Sequence, residues 1–214
     1  MKQTFTRLVC TLLTVATIAS FSALSGLAAK GAKNEYTPST DSTWGDVLYY
    51  FDPQGYENLT AYEKRIYDTT LLSECPSFAV SSPIVHHQSE SVVSSSGYIY
   101  EDSSTKSTDI KGFTNLTMGL SSTKDSIEYT TALTSTISCP KLTISMIAYN
   151  TESGKYVGTD LGSEENAKLC TLDDSFDDLE SKTKYKIRAM GVVTPPSGYF
   201  TSGPLILEYT KETK

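Results

Sequence analysis

Residues 179–189 read LESKTKYKIRA, and this short stretch says more about the fold than any other part of the chain. From Tyr185 onward, the apolar residues Ile187 and Ala189 alternate with the charged residues between them. This period of two is typical of a β-strand that buries one of its faces. The pattern predicts a strand over residues 184–193.

The chain from residue 78 onward has the same texture. Short runs rich in Val, Ile, Thr and Tyr alternate with Ser, Gly, Asn and Asp, as expected of strands separated by turns. The other predicted strands cover residues 91–100, 112–120, 127–138, 142–149, 156–159, 167–172 and 205–210. We therefore expect a mainly β protein, with an antiparallel Ig-like or fibronectin-like sandwich over residues 78–214.

The opening stretch also resembles the E–F corner of fibronectin type III domains. That family places a Leu, a Thr four residues later and a Tyr two residues after that, and Leu179, Thr183 and Tyr185 match these positions. The resemblance implies a structural tyrosine corner, in which the Tyr185 ring is buried and its hydroxyl bonds to upstream backbone. Residues 195–198 and 202–204 resemble the family's F–G turn and its entry into strand G.

The first residues of the chain have the pattern of an export signal. Lys2 and Arg7 precede an uncharged, mostly apolar stretch over residues 8–27, which ends in small residues. This order predicts a signal peptide over residues 1–29, and hence a secreted, extracellular protein. A membrane anchor is the alternative, because an uncharged stretch of this length is long enough to span a bilayer. No later apolar run is long enough to do so.

Between the signal peptide and the strands, the sequence predicts two further segments. Residues 30–43 are polar and are interpreted as a linker. Residues 44–77 are rich in aromatic residues, and Thr60 with Glu63 forms a capping-box pattern that predicts one helix over about residues 61–73. An isolated helix of this length is marginal in water, so we expect this segment to pack on the sandwich.

The aromatic side chains of this segment allow two interpretations. They dock the segment onto the sandwich, or they form an exposed surface that binds a glycan or a protein partner. The residues concerned are Trp44, Tyr49, Tyr50, Phe51 and Tyr56.

Three cysteines follow the predicted signal peptide, at Cys75, Cys139 and Cys170. An exported chain meets oxidising conditions, which favour a disulfide. We predict the pair Cys139–Cys170, with Cys75 free or bonded to another chain. The alternatives are another pairing, since three pairs are possible, or three buried reduced thiols.

Charge and acidic clustering limit the possible ligands. The formal net charge of −7 argues against nucleic-acid binding, which needs a basic face. The densest acidic run contains Asp173, Asp174, Asp177 and Asp178, whose oxygens suit calcium. The alternating ligand spacing of a calcium loop is absent, however, so we interpret the run as a solvated loop and expect no metal or other cofactor.

No recognised catalytic pattern is present in the sequence: it lacks a nucleophile elbow, a phosphate-binding glycine loop and a metalloprotease helix motif. We therefore predict a secreted or cell-surface-associated, non-enzymatic binding or adhesion module for an unknown protein or glycan. The alternatives are a secreted hydrolase that acts through acidic residues and a structural secreted protein without a ligand. Asn58 and Asn115 fit the N-glycosylation rule, which applies if the source is eukaryotic.

Overall fold

The structure is a computed structural model that describes residues 34–73, 81–87 and 108–214. The predicted signal peptide, the first residues of the predicted linker, Cys75 and the predicted strand 91–100 lie outside the described residues.

The described part of the chain is mainly antiparallel β, as predicted, with short helices before the strands. Its seven strands are β1 (Ser81–His87), β2 (Thr108–Ser122), β3 (Ile127–Asn150), β4 (Lys155–Phe176), β5 (Lys184–Thr194), β6 (Tyr199–Thr201) and β7 (Leu205–Glu212). They form one sheet in the order β6-β1-β2-β3-β5-β7, and β4 pairs with the remaining edge of β3. The structure thus has a single curled sheet, and the finer prediction of two separate sandwiched sheets is not established by it.

Strands β3 and β4 are each longer than the sequence predicts, because each joins two predicted strands. β4 pairs along almost the whole length of β3, whose other edge pairs first with β2 and then with β5. The β3–β4 register shifts between Thr134 and Cys139, just before Pro140. Opposite this shift, Asn166 takes a left-handed backbone conformation with φ of 51°. The irregularity bends the ribbon without ending either strand, which is a common effect of a β-bulge.

At this bend the β3–β4 ribbon folds back so that its two halves face each other. The Tyr129 hydroxyl donates a 2.6 Å hydrogen bond to Oδ2 of Asp160 in the opposite half. The halves are also close at Gly162, where an added Cβ would lie 2.9 Å from Cδ1 of Leu172. The space between them holds an apolar cluster, the inner core, to which β1, β2, β5 and β7 also contribute.

Three helices cover the opposite, outer face of the sheet. They are α1 (Trp44–Phe51), α2 (Pro53–Glu57) and α3 (Ala61–Thr69). Thr43 with Asp46 and Thr60 with Glu63 form capping boxes that begin α1 and α3. Apolar residues of the helices pack against β3, β5 and β7 in a second cluster that includes Trp44, Val47, Leu48, Tyr67, Ile147, Met190, Val192 and Ile206. The sequence predicted only the third helix, which ends at Thr69 rather than at Ser73.

Cys139 and Cys170, the pair for which the sequence predicts a disulfide, are buried free thiols of the inner core in this structure. The register places Cys139 opposite Ala167, three residues away from Cys170 on β4. Burial raises the pKa of the Cys139 thiol, and it raises the pKa of Cys170 to about 12.

Candidate ligand-binding cleft

A small area of the outer face, near the β3–β4 turn, is left open beside the helices. Strand pairing brings chemically distinct side chains together there. Tyr149 of β3 lies opposite Tyr156 of β4 on one side and opposite Lys186 of β5 on the other. Arg188 of β5 lies opposite Glu208 of β7. Because residues directly opposite in an antiparallel sheet share a face, these side chains form one surface.

This surface is the floor of a cleft with a volume of about 360 Å³. Residues 38–40 of the N-terminal segment form one wall, and residues 72 and 73, which follow α3, form the other. The volume falls within the range of about 300–1,000 Å³ that is typical of small-ligand pockets. We call this feature the basic cleft, and its floor consists of Tyr149, Tyr156, Lys186, Arg188 and Glu208.

Arg188 is held in place by groups from three separate parts of the chain. Its Nη1 donates a 2.7 Å hydrogen bond to the carbonyl oxygen of Leu72, and its Nε lies 3.2 Å from Oε2 of Glu208. Its guanidinium carbon lies 5.4 Å from the centre of the Trp44 ring, within the range of a cation–π interaction. With only 5% of its side chain exposed, Arg188 is a fixed part of the floor.

Lys186 is the accessible cation of the basic cleft. Its Nζ lies 3.3 Å from Oε1 of Glu208, and 45% of its side chain is exposed. Glu208 therefore faces two cations, and the three side chains together carry one net positive charge. Burial raises the pKa of Tyr156, and the Arg188 guanidinium offsets part of this rise, so the phenol is neutral at ordinary pH.

A line of tyrosine rings connects the basic cleft to helix α1. The ring centres of Tyr149 and Tyr156 are 5.0 Å apart, those of Tyr156 and Tyr36 are 6.4 Å apart, and those of Tyr36 and Tyr50 are 5.3 Å apart. These spacings suit tilted aromatic pairs. We call these four residues the tyrosine row. It gives the cleft a continuous aromatic border that ends on the protein surface.

The aromatic residues that the sequence offered as a possible binding surface differ in exposure in the structure. Tyr49 and Tyr50 are 54% and 45% exposed, and Phe51 and Tyr56 are half-buried. Trp44, the first residue of α1, is fully buried, which fits the docking interpretation rather than an exposed surface. It packs between the helices and the sheet, where its ring meets Arg188.

The acidic residues considered for calcium lie at the end of β4 and in the loop after it. Asp173 accepts a 3.1 Å hydrogen bond from the Thr130 hydroxyl, and Asp177 accepts one of 2.9 Å from the Ser175 hydroxyl. Asp173 and Asp174 are adjacent in a strand, so their side chains point to opposite faces. Within the described ranges, no group of three or more His, Cys, Asp or Glu side chains has the arrangement of a metal site.

The residues of the tyrosine corner lie at the edge of the inner core. Tyr185 is 1% exposed, and its hydroxyl oxygen accepts a 3.0 Å hydrogen bond from the backbone N–H of Glu180. Leu179 is half-buried and packs on the inner core. Thr183 is buried, and its backbone N–H donates to Oγ1 of Thr213 at 3.1 Å.

Sequence reasoning missed most of the basic cleft. Tyr149, Tyr156, Lys186, Arg188 and Glu208 lie on four different strands, and only the strand register brings them together. One signal was available: Lys186 and Arg188 stand two residues apart in a predicted strand, so they share a face.

Comparison with known proteins gives no family assignment: neither a family model nor a curated protein sequence matches this chain. In the described part of the chain, every helix is too short or too polar to cross a membrane.

Proposed function

We propose that this protein is an exported, non-enzymatic binding module. The observation that carries the proposal is the exposure of the rings of Tyr49 and Tyr50 on helix α1. Tyr50 is the outer end of the tyrosine row, and Tyr49 packs against Tyr56. Tyrosine offers a large, rigid and amphipathic contact area at a low cost in side-chain entropy, which suits recognition of glycans and proteins alike. A ligand that covers Tyr50 and extends along the tyrosine row reaches the basic cleft.

A binding role rather than a catalytic role is supported by how the polar groups of the cleft are used. Arg188 is engaged by Leu72, Glu208 and Trp44, so its position is fixed by the protein itself. Fixed polar groups favour tight and selective binding because little order is lost when a ligand arrives. The lack of a recognised catalytic pattern in the sequence points in the same direction.

Export is part of the proposal and rests on the N-terminal sequence, in which a basic start precedes an apolar stretch and small residues. N-terminal sequencing of protein recovered from the culture medium of the source organism tests it. We expect the mature chain to begin near Lys30. Recovery of the chain only from cells, with residues 1–29 intact, would contradict export.

We also propose that the strands of the described chain form an Ig-like or fibronectin-like fold. The support is the tyrosine corner, in which the hydroxyl of buried Tyr185 bonds to backbone five residues upstream. An experimentally determined structure compared strand by strand with such domains tests this proposal. A strand connectivity that cannot be matched to theirs would contradict it.

The binding proposal is tested with a double variant, Tyr49→Ser with Tyr50→Ser. Purified mature protein is applied to a panel of immobilised oligosaccharides and extracellular proteins. We expect the wild type to bind at least one member of the panel, and the double variant to bind it at least about tenfold more weakly, because exposed aromatic residues commonly dominate binding energy.

The matched control is Tyr209→Ser, which removes a ring that is 50% exposed on β7. This variant should bind like the wild type. If the wild type binds no member of the panel, or if the double variant binds as well as the control, the proposed function is wrong.

A further inference from the structure

The basic cleft is a locally positive site on an acidic protein. Among the described residues that line it, Glu208 is the single carboxylate, and it faces both Lys186 and Arg188. The chain as a whole has a formal net charge of −7. Distant charges have little effect at physiological ionic strength, where the Debye length is about 8 Å. A ligand in the cleft therefore experiences mainly the single net positive charge of Lys186, Arg188 and Glu208.

We infer that the basic cleft binds the carboxylate of an acidic saccharide, an inference that rests on the proposed binding function and adds its ligand class. Lys186 is the direct contact, because nearly half of its side chain is exposed, whereas Arg188 is buried. Arg188 holds Glu208 in place and adds positive potential from below. The sugar ring lies against Tyr149, and the ring of Tyr156 supports Tyr149 from the side.

The polar groups of the walls favour a saccharide over an acidic peptide. Ser39, Thr40 and Ser73 bring hydroxyl groups to the two walls, and each of these residues is exposed. Hydroxyl groups both donate and accept hydrogen bonds, so they match the hydroxyls of a sugar. Acidic peptides are usually held by clusters of arginine side chains, whereas Arg188 of this cleft is buried and already engaged by Leu72 and Glu208.

The inference is tested by calorimetric titration of the mature protein at physiological ionic strength. The probes are a tetramer of galacturonic acid, the same tetramer with its carboxylates methyl-esterified, a sulfated galactose tetramer and a short poly-glutamate. We expect the galacturonate tetramer to bind and its ester to bind at least about tenfold more weakly, because the ester keeps the sugar rings and loses only the charge.

Two variants of Lys186 refine the test. We expect Lys186→Gln to weaken binding of the galacturonate tetramer about fivefold, and Lys186→Glu to weaken it at least about tenfold, as is typical when a contact charge is removed or reversed. The control is Lys168→Gln, which removes the same charge from an exposed residue of β4 outside the cleft. It should leave the dissociation constant unchanged, and an unchanged melting temperature in all three variants shows that folding is intact.

Several outcomes would overturn the inference. Equal binding of the ester and the free acid would show that the carboxylate is not recognised. Equal binding by Lys186→Gln and Lys168→Gln would place the site elsewhere. Tighter binding of the sulfated tetramer or of poly-glutamate than of the galacturonate tetramer would give the cleft another ligand class. If the tyrosine double variant still loses binding to its panel ligand while these results fail, the proposed function stands and only the acidic-saccharide assignment falls.

Discussion

The two faces of strand β3 after its bend are buried in different ways. On the inner face, Leu142, Ile144, Met146 and Ala148 belong to the inner core. On the outer face, Lys141, Thr143 and Ser145 alternate with them beneath helix α3. One strand thus meets an apolar core on one side. On the other side, a polar stretch at its beginning is followed by Ile147, which belongs to the second apolar cluster. Polar groups form directional bonds, so the polar stretch of the outer face fixes where helix α3 lies.

The polar interface is centred on Glu63, which is fully buried in α3. Its carboxylate accepts hydrogen bonds from Nζ of Lys141 at 2.9 Å, from the Thr143 hydroxyl, and from the backbone N–H of Thr60 at 2.8 Å. Apolar contact tolerates sliding, whereas these bonds are directional. They therefore hold α3 in one position on β3, and with it the wall of the basic cleft that follows the helix.

The largest effect is expected from removing an inner-core ring. Tyr185→Ala deletes a side chain that is 1% exposed and packed in the inner core. We expect the free energy of unfolding, measured by urea denaturation, to fall by about 3–5 kcal/mol, the usual cost for a large buried aromatic residue. Tyr185→Phe keeps the ring and loses only the hydrogen bond to Glu180, so it should cost about 1 kcal/mol. Equal losses of stability in the two variants would show that the ring of Tyr185 contributes no more than its hydroxyl.

The next effect comes from the polar interface. Glu63→Leu leaves the Lys141 ammonium, whose side chain is only 14% exposed, without its carboxylate. We expect a loss of about 3 kcal/mol in the free energy of unfolding, as is typical when one member of a buried ion pair is removed. Adding Lys141→Met should restore most of it, because the remaining charge is then absent. No recovery in the double variant would show that the pair does not act as a unit.

The pH dependence of stability gives a smaller effect from the same pair. Burial by itself would raise the pKa of Glu63, but the hydrogen bonds from Thr143, Thr60 and Lys141 outweigh burial and hold the pKa below its ordinary value of 4.5. A carboxyl group with a lowered folded pKa stabilises the fold fully above its unfolded pKa. That stabilisation is lost as the pH falls through the folded value.

Urea denaturation of the wild type and of Glu63→Leu with Lys141→Met, at several pH values below 5, measures this effect. We expect the wild type to lose stability more steeply than the double variant as the pH falls. The double variant is the matched control because it retains every other acidic group of the chain. Parallel curves for the two proteins would mean that the pKa of Glu63 is not lowered by folding.

The sequence predicts some strands well and others poorly, for identifiable reasons. Strand β5, at Lys184–Thr194, agrees closely with the prediction over residues 184–193, because its apolar alternation begins directly after the tyrosine corner. Strand β1 was missed because Pro83 suggests a loop. Pro83 is tolerated there because the pairing with β6 covers only Ile84, Val85 and His86, so no partner on that edge needs its missing N–H.

Other elements depend on contacts that are distant in sequence. Helix α1 is rich in aromatic residues with modest helix propensity, and it is fixed by the Thr43–Asp46 capping box and by burial against the sheet. The basic cleft was equally hard to predict. Composition and periodicity place Tyr156, Lys186 and Glu208 on faces of strands, but they do not specify which strands are neighbours or in which register they pair.

The smallest effect is expected from Asp160, which lies between the two halves of the β3–β4 ribbon. Folding shifts its pKa upward, whereas it shifts the pKa of Glu63 downward. Its carboxylate accepts hydrogen bonds from the Tyr129 hydroxyl at 2.6 Å and from the backbone N–H of Leu161 at 2.8 Å. Burial nevertheless raises the pKa of Asp160 above its ordinary value of 3.8, and these hydrogen bonds offset only part of the rise. A raised carboxyl pKa means that the folded state takes up a proton more readily than the unfolded state. Asp160 should therefore favour the fold more as the pH falls from 7 towards 4.

Comparison of Asp160→Asn with the wild type by urea denaturation over this pH range isolates that effect, because Glu63 is present in both proteins. The Asn side chain retains an oxygen that can accept a hydrogen bond from Tyr129, but it cannot take up a proton. The free energy of unfolding of the variant therefore lacks the contribution that protonation of Asp160 makes in the wild type. We expect the stability of the wild type to improve relative to that of the variant as the pH falls. A difference between the two proteins that stays constant from pH 7 to pH 4 would show that Asp160 titrates alike in the folded and unfolded chains. In that case, the pKa shifts that folding causes in Glu63 and in Asp160 would no longer be opposite in direction.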